Sequence, residues 1–301
     1  MSDIASDLSG RLAAIVEKAA PSVVRVEGRR RAASSGVVFG ADTVVAAHHN
    51  LEWDEGIRVG LADGATVAAA LVGRDPTTDL ALLRVQASDL VAPAWTGPED
   101  VKVGHLVVGV SRPDRGVRAG LGIVSAAGDA WRTPAGGRVD RYIETDLVLH
   151  AGFSGGLVAD ASGKAIGLKT AGLLRGAALV VPAPTLRRVA EALAAHGQVR
   201  RGFLGVGTMP VRLGEEQEKA LGQPAALLVT SVQPGTAAAQ AGVLLGDALL
   251  AFDGHVLNRP GDLFARLDED AIGRGVTLRL LRAGQVKDVV AQVGTRDART
   301  A

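Results

Sequence analysis

Residues 22–49 read SVVRVEGRRRAASSGVVFGADTVVAAHH. Three short Val-rich runs sit in this stretch, Val23-Val24-Arg25-Val26, Val37-Val38-Phe39 and Thr43-Val44-Val45, separated by Gly, Ser and Asp. Closely spaced β-branched runs punctuated by turn residues predict an all-β barrel or sandwich. The texture continues through Ile57–Val59, Leu80–Leu83, Leu106–Val110, Gly122–Ser125, Arg141–Thr145, Leu157-Val158, Ala165–Lys169 and Leu179–Val181. Upstream, Leu8, Leu12, Ile15 and Val16 recur at helical spacing and Pro21 stops the pattern, which predicts a short N-terminal helix. Downstream, Leu186, Val189 and Leu193 share one face of a predicted helix from Thr185 to His196, with Gly197 placed to cap it. From about Arg201 a smaller unit begins. Strand-like runs (Leu227–Val229, Leu249–Phe252, Val276–Leu281, Val286–Val293) alternate there with helical stretches at Gly235–Ala241 and Pro260–Leu267, and its roughly 95 residues are the size of a recognition module.

Composition narrows the function. The chain has 301 residues, and its hydrophobic fraction of 47% supplies a sizeable core that Val, Leu and Ala must fill, because aromatics are 3%. Thirty-three Lys and Arg against 32 Asp and Glu leave a net charge of +1, which argues against a basic nucleic-acid binder. The absence of Cys excludes a disulfide scaffold, a thiolate zinc site and a Cys nucleophile. No apolar run reaches the length of a membrane span. The start Met1-Ser2-Asp3 carries no basic cluster before a long apolar stretch, so by itself it reads as cytoplasmic. Gly120-Leu121-Gly122 lacks the third glycine of a dinucleotide site, and His105, His196 and His255 lack metal-ligand spacing. No cofactor and no metal is expected.

The sharpest chemical signal is Gly152-Phe153-Ser154-Gly155-Gly156. A serine flanked by glycines on a tight turn exposes its hydroxyl and leaves backbone N–H groups free to converge on an oxyanion. A serine nucleophile needs a base, and the base needs an orienting carboxylate. Ala46-Ala47-His48-His49-Asn50 and Arg74-Asp75-Pro76-Thr77-Thr78-Asp79 stand upstream, giving the order His, Asp, Ser on a β-rich background.

These segments resemble those of the HtrA (Deg) family of serine endopeptidases. Thr43–Leu51 is similar to the family segment that ends in the catalytic His. Leu71–Leu82 is similar to the segment around the catalytic Asp, Glu144–Gly156 to the nucleophile segment, and Gly163–Thr170 to the strand behind it. The resemblance implies a mostly β fold: a trypsin-like double β-barrel followed by a small α+β PDZ domain. Its divisions are an N-terminal helix at 1–20, the protease domain at 21–196, a linker at 197–202, the PDZ domain at 203–295 and a tail at 296–301. It implies a triad of His49, Asp79 and Ser154, with the amides of Gly152 and Ser154 as the oxyanion hole. Registering on Val44-Val45 selects His49; a shorter Ala-Ala-His pattern fits His48. Phe153 and Leu157 depart from the family's Asn and Pro, and neither position supplies a triad side chain. His150 reads as a polar loop residue.

The residue six before the nucleophile floors the primary pocket in trypsin-like folds. Val148, Leu149, Ala171 and Gly172 are therefore the expected pocket residues, and an apolar residue is expected at the cleavage position. Arg201–Val206 resembles a PDZ carboxylate-binding loop, with Phe203, Leu204, Gly205 and Val206 presenting amides to a peptide C-terminus and a groove running beside the helix around Thr236–Ala241. The implied partners are unfolded protein or peptide substrates, peptide C-termini at the PDZ domain and two further copies in a homotrimer, although no aromatic residue precedes Phe39 to make the family's N-terminal contact. The implied compartment is the cell envelope. The competing class is an inactive protease fold that binds peptides.

Overall fold

The structure is a computed structural model that describes residues 4–30, 32–87, 90–148 and 150–295. The expected tail, residues 296–301, and the first three residues of the expected N-terminal helix lie outside the described residues. The chain divides into two compact units, Met1–Val199 and Arg200–Ala301.

The first unit opens with α1 (Ile4–Ala19). Six strands follow: β1 (Val23–Glu27), β2 (Ser34–Val38), β3 (Thr43–Ala47), β4 (Arg58–Gly60), β5 (Thr66–Asp75) and β6 (Leu80–Val85). They close into an antiparallel barrel in the order β1-β2-β3-β6-β5-β4. A second set comprises β7 (Leu106–Ser111), β8 (Arg118–Gly128), a small hairpin of β9 (Trp131–Arg132) and β10 (Arg138–Val139), then β11 (Tyr142–Thr145), β12 (Leu157–Asp160), β13 (Ala165–Thr170) and β14 (Ala178–Pro182). Without the hairpin these strands close into a second barrel, β11-β14-β13-β12-β7-β8. The unit ends in α2 (Ala183–His196), capped by Gly197 at φ 70.

The period-two pattern explains why two barrels form rather than one sheet. In β3 and β6, Val44, Ala46, Ala81 and Leu83 point into the first barrel. Their neighbours Val45, Leu80 and Leu82 point outward, yet they are also buried. They meet Val108, Val110, Leu157 and Leu168 of the second barrel, Ile15 of α1, and Leu186, Val189 and Leu193 of α2. The second barrel fills its own interior with Val107, Val124, Ile143, Val158, Ile166 and Val180. Strands buried on both faces must be apolar at nearly every position, as the run Leu80–Leu83 is.

The second unit contains β15 (Gly202–Phe203), β16 (Val206–Arg212), α3 (Glu215–Leu221), β17 (Ala225–Val232), α4 (Ala237–Gln240), β18 (Ala248–Phe252), β19 (His255–Val256), α5 (Pro260–Phe264), β20 (Gly275–Arg282), β21 (Gln285–Gln292) and β22 (Gly294–Thr295). The sheet order is β16-β17-β18-β20-β21, which puts β16 at an edge. Leu204, Leu227, Val229, Leu249, Phe252, Leu278 and Leu280 belong to its separate core.

Candidate active site

Strand register brings His49 to Asp79. β3 and β6 pair with Ala47 opposite Leu80, so the residues just beyond each end are neighbours, and His48 N donates to Asp79 O at 3.0 Å. His49 sits in a single tight turn, His48–Asn50, that closes β3. On the other side, the Asp75 carboxylate accepts from Thr77 N at 3.1 Å, Thr77 Oγ1 at 2.6 Å and Thr78 Oγ1 at 2.7 Å. This turn delivers Asp79 at φ 57, a left-handed conformation that a non-glycine residue holds only when its surroundings impose it.

The Asp79 carboxylate is buried and fully engaged. Its Oδ1 accepts His49 N at 2.9 Å, and its Oδ2 accepts the Thr170 hydroxyl and lies 2.7 Å from His49 Nδ1. Nδ1 therefore carries the proton, leaving Nε2 as the acceptor. Gly172 closes over the pair: a Cβ there would lie 2.4 Å from Asp79 Oδ2 and 2.7 Å from His49 Nδ1. His48 differs. Burial is the largest cause pushing its ring below the usual histidine range, with the Arg74 charge second, and its Nδ1 has no hydrogen-bond partner among the described residues. The structure brings His49, not His48, onto Asp79 by its side chain.

Ser154 lies on the turn before β12. Because β12 pairs with β13 with Leu157 opposite Leu168, that turn faces the end of β13. Gly155 N donates to Lys169 O and Lys169 N to Gly156 O, both at 2.8 Å. Gly155 adopts φ 89, and a Cβ there would stand 1.9 Å from Ser35 O, so only glycine fits. The first barrel braces the turn: Asn50 Nδ2 donates to Ser154 O at 3.3 Å and Ser35 Oγ to Gly152 O at 2.8 Å. Phe153 N donates to His150 O, Gly155 N to Lys169 O and Gly156 N to Phe153 O, which leaves the amides of Gly152 and Ser154 uncommitted among the described residues. Ser154 Oγ accepts Ala171 N at 3.2 Å, and among the described residues no hydrogen bond joins it to His49.

Of the expected pocket residues, Val148 is 63% exposed. Its carbonyl is the inward group, accepting from Lys169 Nζ. Leu149 lies outside the described residues. Ala171 and Gly172 follow β13 beside Ser154 and the Asp79 carboxylate. Two residues of this site escaped the motif reading, Thr170 and Lys169. Thr170 is the last residue of the segment behind the nucleophile, and a lysine interrupting the apolar run Ala165–Leu168 was the available signal for the other.

In the second unit, the carbonyls of the expected carboxylate loop are tied down. Ala238 N donates to Leu204 O and Gln233 N to Gly205 O, while the amides of Leu204 and Gly205 are uncommitted among the described residues. Phe203 ends β15 and Val206 opens the edge strand β16. The helix beside β16 is α5, whereas α4 packs toward β21, so the groove expected along Thr236–Ala241 is corrected to β16 and α5. Leu204 and Ala238 are core residues, 1% and 0% exposed, rather than groove walls.

Comparison with known proteins agrees with this architecture. The trypsin-like peptidase domain family matches residues 34–168 and the PDZ domain family residues 202–293. A probable periplasmic serine endoprotease, DegP-like, from Brucella suis biovar 1 (strain 1330) is 33% identical over 86% of this chain and 52% of that protein. The periplasmic serine endoprotease DegP of Escherichia coli (strain K12) is 31% identical over 86% of this chain and 56% of that protein. The chain thus spans about half the length of these curated relatives. The solved structure of the HtrA-type protease AlgW with a tripeptide superposes with a TM-score of 0.74 at 30% identity, covering 95% of this chain and 97% of that one.

Proposed function

The chain belongs to the HtrA family of trypsin-like proteases with a PDZ domain, and from that premise we propose that it is a serine endopeptidase. Ser154 attacks the peptide carbonyl. His49 takes the serine proton at Nε2 and later gives one to the leaving amine, while Asp79 holds Nδ1–H and stabilises the imidazolium. The Gly152 and Ser154 amides receive the oxyanion. Ala171 and Gly172 wall the pocket for the residue before the scissile bond. The observation that carries this reading is the 2.7 Å contact of His49 with Asp79 beside a serine turn that keeps those two amides uncommitted among the described residues. Ser154 Oγ leaves Ala171 N for His49 when substrate binds, as catalytic hydrogen bonds commonly tighten only in the complex.

The substrates we propose are unfolded or damaged proteins, whose extended chains fit both a protease cleft and an open sheet edge. The PDZ domain, residues 203–295 after a linker at 197–202, binds peptide C-termini through the loop 203–206 and adds them to β16. The working place is the cell envelope, supported by the periplasmic naming of the relatives. The assembly is a homotrimer in which the exposed Ile4 and Leu8 of α1 take the role of apolar contacts.

A serine-directed fluorophosphonate should label Ser154, and casein should be cleaved. Ser154→Ala should lose both, with kcat down by about a millionfold. Unlabelled wild-type protein, or casein cleavage by pure Ser154→Ala protein, overturns the assignment.

A further inference from the structure

Lys169 is 1% exposed, the fifth of six buried residues of β13 and the only charged one. Its Nζ donates to Val148 O at 2.5 Å and stands 5.2 Å from the centre of the Phe153 ring. An ammonium has three donors, and that carbonyl is its one hydrogen-bond acceptor among the described residues. Burial pulls its pKa down to about 8, with no carboxylate offsetting that effect, so the group is still charged at neutral pH. A buried cation paired with nothing but a carbonyl and a ring face lacks the anion such charges ordinarily keep.

The place of this charge is specific. The backbone bonds between Lys169 and Gly155-Gly156 clamp β13 to the nucleophile turn. Beyond that clamp the described residues of the two segments run on as the walls of a fork: Val148 and 150–154 on one side, Thr170–Gly172 on the other, with Ala171 N donating to Ser154 Oγ. The Lys169 side chain lies in the fork and ends at the carbonyl of Val148, six residues before Ser154. The fork opens beside Ser154 Oγ, so the residue that carries the scissile carbonyl to Ser154 has this fork next to its side chain. Beside it opens a cavity of about 590 Å³ lined by Arg118, Ala119, His150, Ala151 and Phe153, with no carboxylate among them. Arg118 is already paired with Asp114, and the Phe153 ring lies 5.3 Å from the His150 ring and 5.2 Å from Lys169 Nζ.

We propose that Lys169 sets the primary specificity of the enzyme, which cleaves after Glu or Asp, the substrate carboxylate taking the two unused N–H groups of the ammonium. The expectation of an apolar residue there rested on Val148, which is 63% exposed, and on Leu149, which lies outside the described residues. This inference builds on the endopeptidase reading, and its test separates the two. Peptidyl diphenyl phosphonates that differ only in the terminal residue, Glu, Gln or Val, should label Ser154 of the full chain at different rates. Glu should exceed both Gln and Val by about tenfold or more, the worth of one charge-assisted hydrogen bond. In Lys169→Met the ratio of Glu to Gln should fall to one or below. Two results overturn the inference: a wild-type ratio near one, or a preference that survives in Lys169→Met with all three rates changed alike, as a lysine that merely braces the turn would give. The wild-type ratio decides even if that variant fails to fold. Labelling by a general fluorophosphonate with Val preferred overturns this inference alone, and absence of all labelling overturns both.

Discussion

Asp79 is the residue on which the site converges, because one buried carboxylate accepts from a backbone amide, an imidazole and the Thr170 hydroxyl at once. Adjacent histidines are separated by this contact. His49→Ala should abolish casein cleavage as Ser154→Ala does, while His48→Ala should keep it and lose stability, since the His48 ring packs half-buried. The reverse pattern in a casein assay would move the base by one residue. Lys169 makes a second prediction. Its pKa of about 8 lies below the 10.5 of a free lysine, so between those values the unfolded chain binds more protons and stability rises with pH. Below pH 8 the buried charge costs on the order of 3 kcal/mol. Lys169→Met should therefore melt higher than the wild type at pH 7, with the gap closing toward pH 10.5. A thermal scan showing no gain at pH 7 would refute this.

At the scale of elements, the nucleophile turn depends on backbone space rather than on side-chain contacts. Gly155→Ala places a methyl on Ser35 O and forces φ 89 on an alanine. The expected loss exceeds about 2 kcal/mol, read from the denaturant midpoint, together with loss of fluorophosphonate labelling. In the second unit β16 is an edge strand whose ladder is open on one side. Peptides ending in a free carboxylate should bind full-length Ser154→Ala protein with Kd near micromolar, about −8 kcal/mol, and C-terminally amidated peptides should bind much more weakly by calorimetry. Equal binding would show that loop 203–206 holds no carboxylate. Element boundaries were legible where burial is periodic, as in α2, with Leu186, Val189 and Leu193 on one face. Helix α3 went unread because none of its residues is buried, so it carries no apolar stripe.

For the whole molecule, each unit owns its core. The first unit holds His49, Asp79 and Ser154, the proposed triad, and the second packs Leu204, Phe252 and Leu278 by itself. A chain ending at Val199 should still label with fluorophosphonate but cleave casein less or without regulation. Loss of labelling would mean that the second unit supports the site.

The linear chain determined a β-rich barrel or sandwich, since closely spaced Val-rich runs alternate with turn residues, while the double barrel was what the family resemblance implied; it also set out the order His, Asp, Ser, since the adjacent histidines, Asp79 and Ser154 each stand in a segment with its own local signature. Tertiary structure alone decided between His48 and His49, because one residue of register at the end of β3 selects which ring meets Asp79. It alone left Val148 exposed and buried Lys169. The alternation of a strand predicts which face a residue shares, but whether that face looks into a core, a second barrel or a substrate pocket depends on what the rest of the chain packs against it.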